Sequence, residues 1–279
     1  MDFRVILINP PLVHLTGDLY GNIPYMPTGL LYLAGYLEQQ GISVSILDGF
    51  GLAPTRIYRV DDQLSAAGLT ETEIVERLDA VPLMGVGVHS GMSHEMALRL
   101  GRLIRKRHPD TILIAGGNHV SVVPEPFIEG GYDYVCIGEG EYPLEALARW
   151  LRDGTGNPKS IPGLQGRGFC CPPGPFEENL DRFGTAALHL LPLENYWQLS
   201  MQHAPVQGRF MVLTTSRGCI YNCRFCTTPR VWGRHWRSRS AAHVADEIEQ
   251  AIARHAITDV IIQDELFGCK REYAHALAD

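Results

Sequence analysis

The chain contains 279 residues, of which 45% are hydrophobic, and carries a formal net charge of −7, so we expect two domains with sizeable cores. The negative charge disfavours nucleic acid as a partner, because nucleic acid attracts a basic surface. No apolar run approaches the ~20 residues of a membrane span, and no charged-then-apolar leader follows Met1, so we predict a cytoplasmic protein.

The first half of the chain alternates short β-rich runs with helical patterns, which is typical of a parallel sheet covered by helices. The predicted strands lie at residues 5–8, 44–47, 83–88, 111–115 and 134–137, and the predicted helices at 28–40, 71–78, 96–107 and 143–151. These elements predict an α/β fold over residues 1–152, with a parallel five-stranded sheet of the Rossmann or flavodoxin type.

Four loops at the carboxyl ends of predicted strands carry glycines and polar residues. They read Asn9-Pro10-Pro11, His89-Ser90-Gly91-Met92-Ser93, Gly116-Gly117-Asn118-His119 and Gly138-Glu139-Gly140-Glu141. Open α/β sheets bind ligands at this edge, and glycine lets the backbone approach a bulky ligand closely. No G-x-G-x-x-G follows the first strand, which disfavours a dinucleotide site.

Residues 153–207 are rich in glycine and proline and show little periodicity, so we expect an irregular linker. Beyond it, an apolar run at 210–213, a helical pattern at 241–255 and a second apolar run at 259–262 predict a strand, a helix and another strand. The second strand ends at two carboxylates, Asp264 and Glu265. These carboxylates could contact a ligand or could cap the helix that follows.

Three cysteines follow the apolar run at 210–213 with the spacing C-x3-C-x2-C: Cys219, Cys223 and Cys226. Three thiolates this close can converge on one face of a [4Fe–4S] cluster and leave one iron open to a substrate or cofactor. A zinc site would have to recruit His235 or His243 from outside the motif, because structural zinc takes four ligands. A disulfide is disfavoured in a cytosolic chain.

The other four cysteines receive no cofactor role. Cys136 lies in an apolar run and is expected to be a buried small hydrophobe. Cys170 and Cys171 are adjacent in the linker, and Cys269 lies just beyond a strand end.

The cysteine loop, with the aromatic Phe225 before its last cysteine, resembles the cluster loop of the radical S-adenosylmethionine (SAM) superfamily. The strand-end loops N-P-P, G-G-x-H and G-E-G-E resemble the cobalamin-binding domain of the B12-dependent class of that superfamily. The D-x-H-x-x-G motif of many B12 proteins is missing, because no aspartate is followed by histidine two residues later. The resemblance therefore implies cobalamin bound without a histidine ligand on cobalt.

This resemblance implies three cofactors: a [4Fe–4S] cluster, SAM and cobalamin. The implied cluster ligands are Cys219, Cys223 and Cys226. The implied SAM contacts are Phe225, Asp264 and Glu265. The implied cobalamin contacts are Asn9, Pro10, Ser90, Gly91, Met92, Gly116, Gly117, His119, Gly138, Glu139 and Gly140. Residues 208–279 would form the N-terminal part of a radical SAM (β/α) barrel, which we expect to be incomplete because two barrel strands are present.

The implied activity is that of an enzyme that reductively cleaves SAM at the cluster to a 5′-deoxyadenosyl radical and methylates an unactivated carbon of a small molecule. An electron donor such as flavodoxin or ferredoxin is implied as a partner. Relatives of this architecture also perform cyclisations and rearrangements, which stays an alternative. Two other hypotheses are a cobalamin-binding module or truncated non-catalytic fragment, and an electron-transfer iron–sulfur protein, which a fourth cysteine ligand would favour.

Overall fold

The structure is a computed structural model and describes residues 3–18, 25–199, 206 and 208–279. Its strands are β1 (Arg4–Asn9), β2 (Leu12–Leu15), β3 (Ser43–Asp48), β4 (Ile57–Arg59), β5 (Leu64–Ala67), β6 (Leu83–Gly87), β7 (Ile112–Gly116), β8 (Tyr134–Cys136), β9 (Leu164–Gly166), β10 (Phe169–Cys170), β11 (Phe210–Leu213), β12 (Ser216–Arg217), β13 (Arg237–Ser238) and β14 (Asp259–Ile262). Its α-helices are α1 (Thr28–Gln39), α2 (Glu71–Glu76), α3 (His94–Arg107), α4 (Asn118–Val122), α5 (Glu125–Glu129), α6 (Glu141–Asp153), α7 (Leu193–Trp197), α8 (Thr228–Val231), α9 (Ala241–His255) and α10 (Arg271–Ala278). Within these ranges, no helix is both long and apolar enough to cross a bilayer.

In the described residues the main sheet has seven strands in the order β10-β9-β8-β7-β6-β1-β3. The five predicted strands form its parallel part, namely β3, β1, β6, β7 and β8. Across the sheet these five strands follow the order second, first, third, fourth, fifth, which is the flavodoxin-like arrangement. The predicted α/β fold with a parallel sheet of this type is confirmed.

Helices cover both faces of this sheet, because successive residues of a strand point to opposite faces. In β1, Ile6 and Ile8 pack in one core with α2, α3 and α5. Val5 and Leu7 pack in a second core with α1 and α6. A strand that is buried on both faces appears in the sequence as an unbroken apolar run, which is why β1 is predictable.

Local sequence determines two of the helix ends as predicted. Thr70 begins α2 in a capping box, in which its hydroxyl accepts from the Glu73 N–H and the Glu73 carboxylate accepts from the Thr70 N–H. Gly41, with φ of +69°, follows the end of α1.

The linker predicted as irregular over residues 153–207 needs correction in its first part. Residues 164–170 contain β9 and β10, an antiparallel hairpin that extends the main sheet beside β8. Strands of three and two residues are too short to show an alternation in the sequence. A small antiparallel sheet in the order β2-β5-β4 was also missed, because its strands of three and four residues show no clear β pattern in the sequence. Residues 200–205 and 207 of the predicted linker lie outside the described residues.

The second unit begins with β11, which pairs in parallel with β14. All four residues of β11 are buried. They share one apolar core with Met26 and Leu31 from the first domain and with Val244 of α9. Because this core spans both parts of the chain, the strand that leads toward the cysteines is packed against the first domain.

Candidate cofactor site

A cavity of about 410 Å³ lies at the carboxyl edge of the main sheet. Its lining includes the ends of the neighbouring strands β1 and β6. The chain adds β3 on one side of β1 and then β6, β7 and β8 on the other side, so the strand order reverses between β1 and β6. Flavodoxin-like folds bind ligands at this point. Five predicted cobalamin contacts are among its lining residues: Asn9, Gly116, Gly117, Gly138 and Gly140.

Glycines form much of this wall because a side chain would enter the cavity or strike the backbone. At Gly116, a Cβ atom would meet the Cβ of Cys136 at 3.6 Å and no other described atom within 4 Å. A larger side chain there would therefore extend into the cavity. Gly117 has φ of +111°, and a Cβ atom would lie 2.7 Å from the carbonyl oxygen of Val88. Both positions favour glycine.

Two further glycines, Gly85 and Gly87, line the cavity from β6, and the sequence analysis missed them. Added Cβ atoms would lie 3.1 Å from Leu7 Cδ2 and 3.2 Å from Leu30 Cδ2, respectively. Glycine inside a buried strand marks a close approach by another group. The alternating glycines of this strand are the signal that could have identified them.

Six predicted cobalamin contacts lie outside the described lining of this cavity: Pro10, Ser90, Gly91, Met92, His119 and Glu139. His119 contacts His94, with 2.8 Å between His119 Nε2 and His94 Nδ1. Both rings pack edge-on against Phe127. Burial lowers the pKa of His119, and the neighbouring His94 lowers it further. His119 thus belongs to a packed aromatic group beside the cavity.

A buried carboxylate at the end of β3 orients the side chain of Asn9. Asp48 is 1% exposed, and its Oδ1 accepts a hydrogen bond from Asn9 Nδ2 at 2.8 Å. Asp48 also accepts from the Gly51 N–H and the Tyr196 hydroxyl. Burial raises the pKa of Asp48, while these hydrogen bonds oppose that rise. Because the side-chain nitrogen of Asn9 donates to Asp48, the side-chain oxygen Oδ1 of Asn9 is the group available to a ligand.

The second unit supplies the opposite wall of the cavity: Thr214, Arg217, Gln263, Asp264 and Glu265. Asp264 accepts hydrogen bonds from the Thr215 N–H at 2.7 Å and from the Thr215 and Ser216 hydroxyls at 2.6 Å. Asp264 therefore ties the end of β14 to the residues that lead into the cysteine loop. Burial raises the pKa of the neighbouring Glu265.

The three predicted cluster ligands share one loop, which begins after β12 at Gly218. This glycine has φ of +89°, and a Cβ atom there would lie 2.2 Å from the carbonyl oxygen of His235. Cys219 is half-buried and the other two cysteines are exposed, as is Phe225, at 91%. Among the described residues, no three Cys, His, Asp or Glu side chains are gathered as metal ligands. The thiols therefore lie on one loop without converging.

Buried ion pairs join the two walls beside this loop. Arg217 contacts the carboxylates of Glu139 at 3.1 Å and Glu141 at 2.6 Å, and Arg237 contacts Glu139 at 3.0 Å. Burial acts to lower the pKa of Arg217, but the carboxylates of Glu141 and Glu139 outweigh it, and the pKa is raised. Glu139 was predicted to contact cobalamin, and in the structure its carboxylate pairs with two arginines.

Cys136 lies in the wall of the cavity and is 6% exposed. Burial raises the pKa of its thiol to about 12, so the thiol stays protonated near neutral pH. This agrees with the prediction of a buried small hydrophobe.

Comparisons with known proteins cover residues from both walls of the cavity. A family model described as the B12 binding domain matches residues 23–148. The chain is 29% identical to the cytidylyl-2-hydroxyethylphosphonate methyltransferase of Streptomyces wedmorensis, over 98% of this chain and 57% of that protein. It is 32% identical to the cobalamin-dependent radical SAM methyltransferase TokK of Streptomyces tokunonensis, over 65% of this chain and 28% of TokK. It is 28% identical to the anaerobic magnesium-protoporphyrin IX monomethyl ester cyclase of Synechocystis sp., over 94% of this chain and 49% of that protein.

The fold also matches the radical S-adenosylmethionine methyltransferase TsrM from Kitasatospora setae, solved with cobalamin and a [4Fe-4S] cluster bound. The TM-score is 0.71 at 23% identity, over 99% of this chain and 52% of TsrM. The chain thus spans about half the length of TsrM and of the first of these relatives. On the matched B12 binding domain and the relatives, the chain is a homologue of cobalamin-dependent radical SAM methyltransferases.

Proposed function

We propose that the chain binds cobalamin, a [4Fe–4S] cluster and SAM, and that it serves a methyltransferase reaction on a small molecule. The observation that carries this proposal is the cavity between the two units. One of its walls consists of glycine loops of the matched B12-binding domain, and the other consists of the strand ends next to the cysteine loop. Arg217 and Trp232, which precede and follow the cysteine loop, therefore face the same space as the glycine loops. The methyltransferase names of several relatives support the reaction type.

The first wall fits a bulky, flat ligand because backbone forms much of it. Gly87 and Gly116 leave room that any side chain would occupy. Asn9 presents a carbonyl oxygen, which can accept a hydrogen bond from an amide group at the edge of a corrin ring. We propose that cobalt has no histidine ligand, since D-x-H-x-x-G is missing and His119 is engaged with His94.

The donor set of the second wall fits an iron–sulfur cluster. Cys219, Cys223 and Cys226 are free thiols, and soft thiolate sulfur is the ligand that such clusters take. The thiols of Cys223 and Cys226 are exposed and are free to move onto a cluster. Binding of a metal group and ordering of its ligands are commonly coupled in this way.

When bound, these cofactors would supply the one-electron cleavage of SAM and the methyl transfer. The residues of the chain hold and orient them. Glu265 is proposed to contact SAM, because it lines the cavity. Asp264 acts by fixing the approach to the cysteine loop through Thr215. Phe225 is proposed to pack on the adenine or the cluster once the loop closes.

Cyclisation is the second candidate reaction. The similarity to magnesium-protoporphyrin IX monomethyl ester cyclases extends over 94% of this chain, as broadly as the similarity to methyltransferases. We further propose an electron donor such as flavodoxin or ferredoxin and a cytoplasmic setting, in which a labile cluster and free thiols persist.

Anaerobic reconstitution tests the cluster directly. The wild-type chain should take up about four irons, and Cys223→Ala should take up none because the cluster loses one of three ligands. Cys171→Ala is the matched control, since Cys171 is a free thiol of the linker, and it should load like the wild type. Stoichiometric zinc in place of iron would refute the proposal.

The other two cofactors have separate readouts. Bound cob(II)alamin should give an electron paramagnetic resonance spectrum without nitrogen hyperfine splitting, and histidine splitting would contradict the proposed ligation. Incubation with SAM and a strong reductant should yield 5′-deoxyadenosine. Methyl transfer also consumes SAM as a methyl donor and should release S-adenosylhomocysteine, whereas ring formation should not.

A further inference from the structure

We propose that Arg217 is a positioning residue that couples the cobalamin-side loop, residues 138–141, to the cluster loop, residues 218–226. This inference rests on the proposed function, because that function assigns the two loops to two different cofactors. No sequence motif predicts the contact between Arg217 and Glu139, because the two residues are separated by 78 positions.

Arg217 divides its guanidinium between two carboxylates of one loop. Its Nη1 donates to Glu139 Oε1 at 3.1 Å, and its Nη2 donates to Glu141 Oε1 at 2.6 Å. The three side chains are between 6% and 11% exposed, so water does not screen these contacts effectively. The planar guanidinium has donors in fixed directions, and its position therefore depends on the positions of both carboxylates.

Aromatic rings restrict the remaining freedom of Arg217. Its guanidinium carbon lies 4.9 Å from the centre of the Phe183 ring and 5.2 Å from the centre of the Trp232 ring. Both distances are typical of cation–π contacts. Trp232 and Arg217 also line the cavity. The arginine thus lies between the linker, the segment after the cysteines and the proposed cofactor space.

The backbone transmits the position of Arg217 to the first cysteine. Arg217 pairs with Arg237 across β12 and β13, and Arg237 also contacts Glu139. Gly218 follows at once in the left-handed region, close against the carbonyl oxygen of His235. A shift of the 138–141 loop therefore moves Arg217 and, through the tight turn at Gly218, Cys219.

The consequence is cooperative binding of the two cofactors. If cobalamin orders residues 138–141, Arg217 is fixed and the cluster loop loses less freedom when its cluster binds. By reciprocity, the cluster should increase the affinity for cobalamin by the same factor.

The test compares the dissociation constant of hydroxocobalamin for the full chain with and without its reconstituted cluster. In the wild type the cluster should tighten cobalamin binding about tenfold, within the ~5–150-fold range of measured couplings. Arg217→Gln and Glu141→Gln should reduce this factor to about one. Glu247→Gln is the matched control, because Glu247 is equally buried and pairs with Arg239 but contacts neither loop. It should keep the wild-type factor.

A second measurement, the alkylation rates of two cysteines, needs no cofactor. A circular dichroism spectrum of each variant shows whether it has folded. In the unloaded chain, Glu141→Gln should increase the alkylation rate of Cys219 relative to Cys226 by about threefold or more, as expected when a local opening becomes easier. Glu247→Gln should leave this rate ratio unchanged, and both variants should retain the far-ultraviolet circular dichroism of the wild type.

The outcomes separate this inference from the proposed function. A wild type that binds neither cluster nor cobalamin defeats the proposed function, while the alkylation ratio still decides the role of Arg217. A wild type that binds both cofactors with no coupling overturns the positioning role. An alkylation ratio unchanged in Glu141→Gln also overturns it.

Discussion

The two walls of the cofactor cavity are built in different ways. In the first domain, β1 is buried on both faces, and glycines shape the wall. In the second unit, the cysteine loop is exposed: Phe225 is 91% exposed, and Cys223 and Cys226 are exposed as well. We infer that packing holds the strands of the cobalamin side in place, whereas the cysteine loop packs against little of the protein and depends more on its ligand for a fixed shape.

The largest expected effect is on the free energy of unfolding, and it is tested with one variant from each region. Leu7→Ala, at 1% exposure in β1, should lower the free energy of unfolding by about 2–5 kcal/mol, because it leaves a cavity in a packed core. Phe225→Ala should change it by less than about 0.5 kcal/mol, since an exposed side chain packs against little. Urea denaturation of the unloaded chain measures both. Similar losses in the two variants would break the comparison.

A smaller effect concerns the preformed wall itself. Gly116→Leu should weaken cobalamin binding by about tenfold or more, because the new side chain extends into the cavity and overpacking typically costs ~1–3 kcal/mol. Ser43→Leu is the control. It adds the same side chain at an exposed position at the amino end of β3, away from the carboxyl ends that line the cavity. Equal cobalamin affinity in Gly116→Leu and the wild type would place the ligand elsewhere.

The smallest expected effect is a dependence of stability on pH. Because the pKa of His119 is lowered below 6.5 in the folded chain, the unfolded chain binds this proton more readily. The free energy of unfolding should therefore fall as the pH drops from about 6.5 through the lowered pKa. His119→Gln should remove this part of the loss, measured as unfolding free energies between about pH 7 and pH 5. An unchanged slope in the variant would exclude His119 as its source.

Much of the fold was predictable because its signals are local. The apolar run of β1 and the start of α2 at Glu71 each depend on neighbouring residues, and both elements lie where the sequence predicts them. The C-x3-C-x2-C spacing likewise places three thiols on one loop. Spacing cannot show whether the thiols converge, because that depends on packing and on the ligand.

Long-range contacts account for what the sequence missed. The pairing of the Glu139 carboxylate with Arg217 and Arg237 was not predicted. Arg217 and Arg237 belong to the second unit, and they reach Glu139 because this unit packs against the first domain. The β9–β10 hairpin was missed because it gains its place by pairing with β8, and its own sequence is too short to carry a pattern.

The strand order of the main sheet has a consequence for the nascent chain. Among the strands of the main sheet β1 is synthesised first, but it lies between β3 and β6, and Val5 pairs with Leu83. Its apolar residues therefore stay without one of their neighbours until the ribosome has added more than seventy further residues. The glycine wall is completed later still, by Gly116 and Gly138. On a ribosome, the cobalamin side could thus fold shortly before the cysteines emerge, so that the cluster loop would be delivered to a wall that already exists.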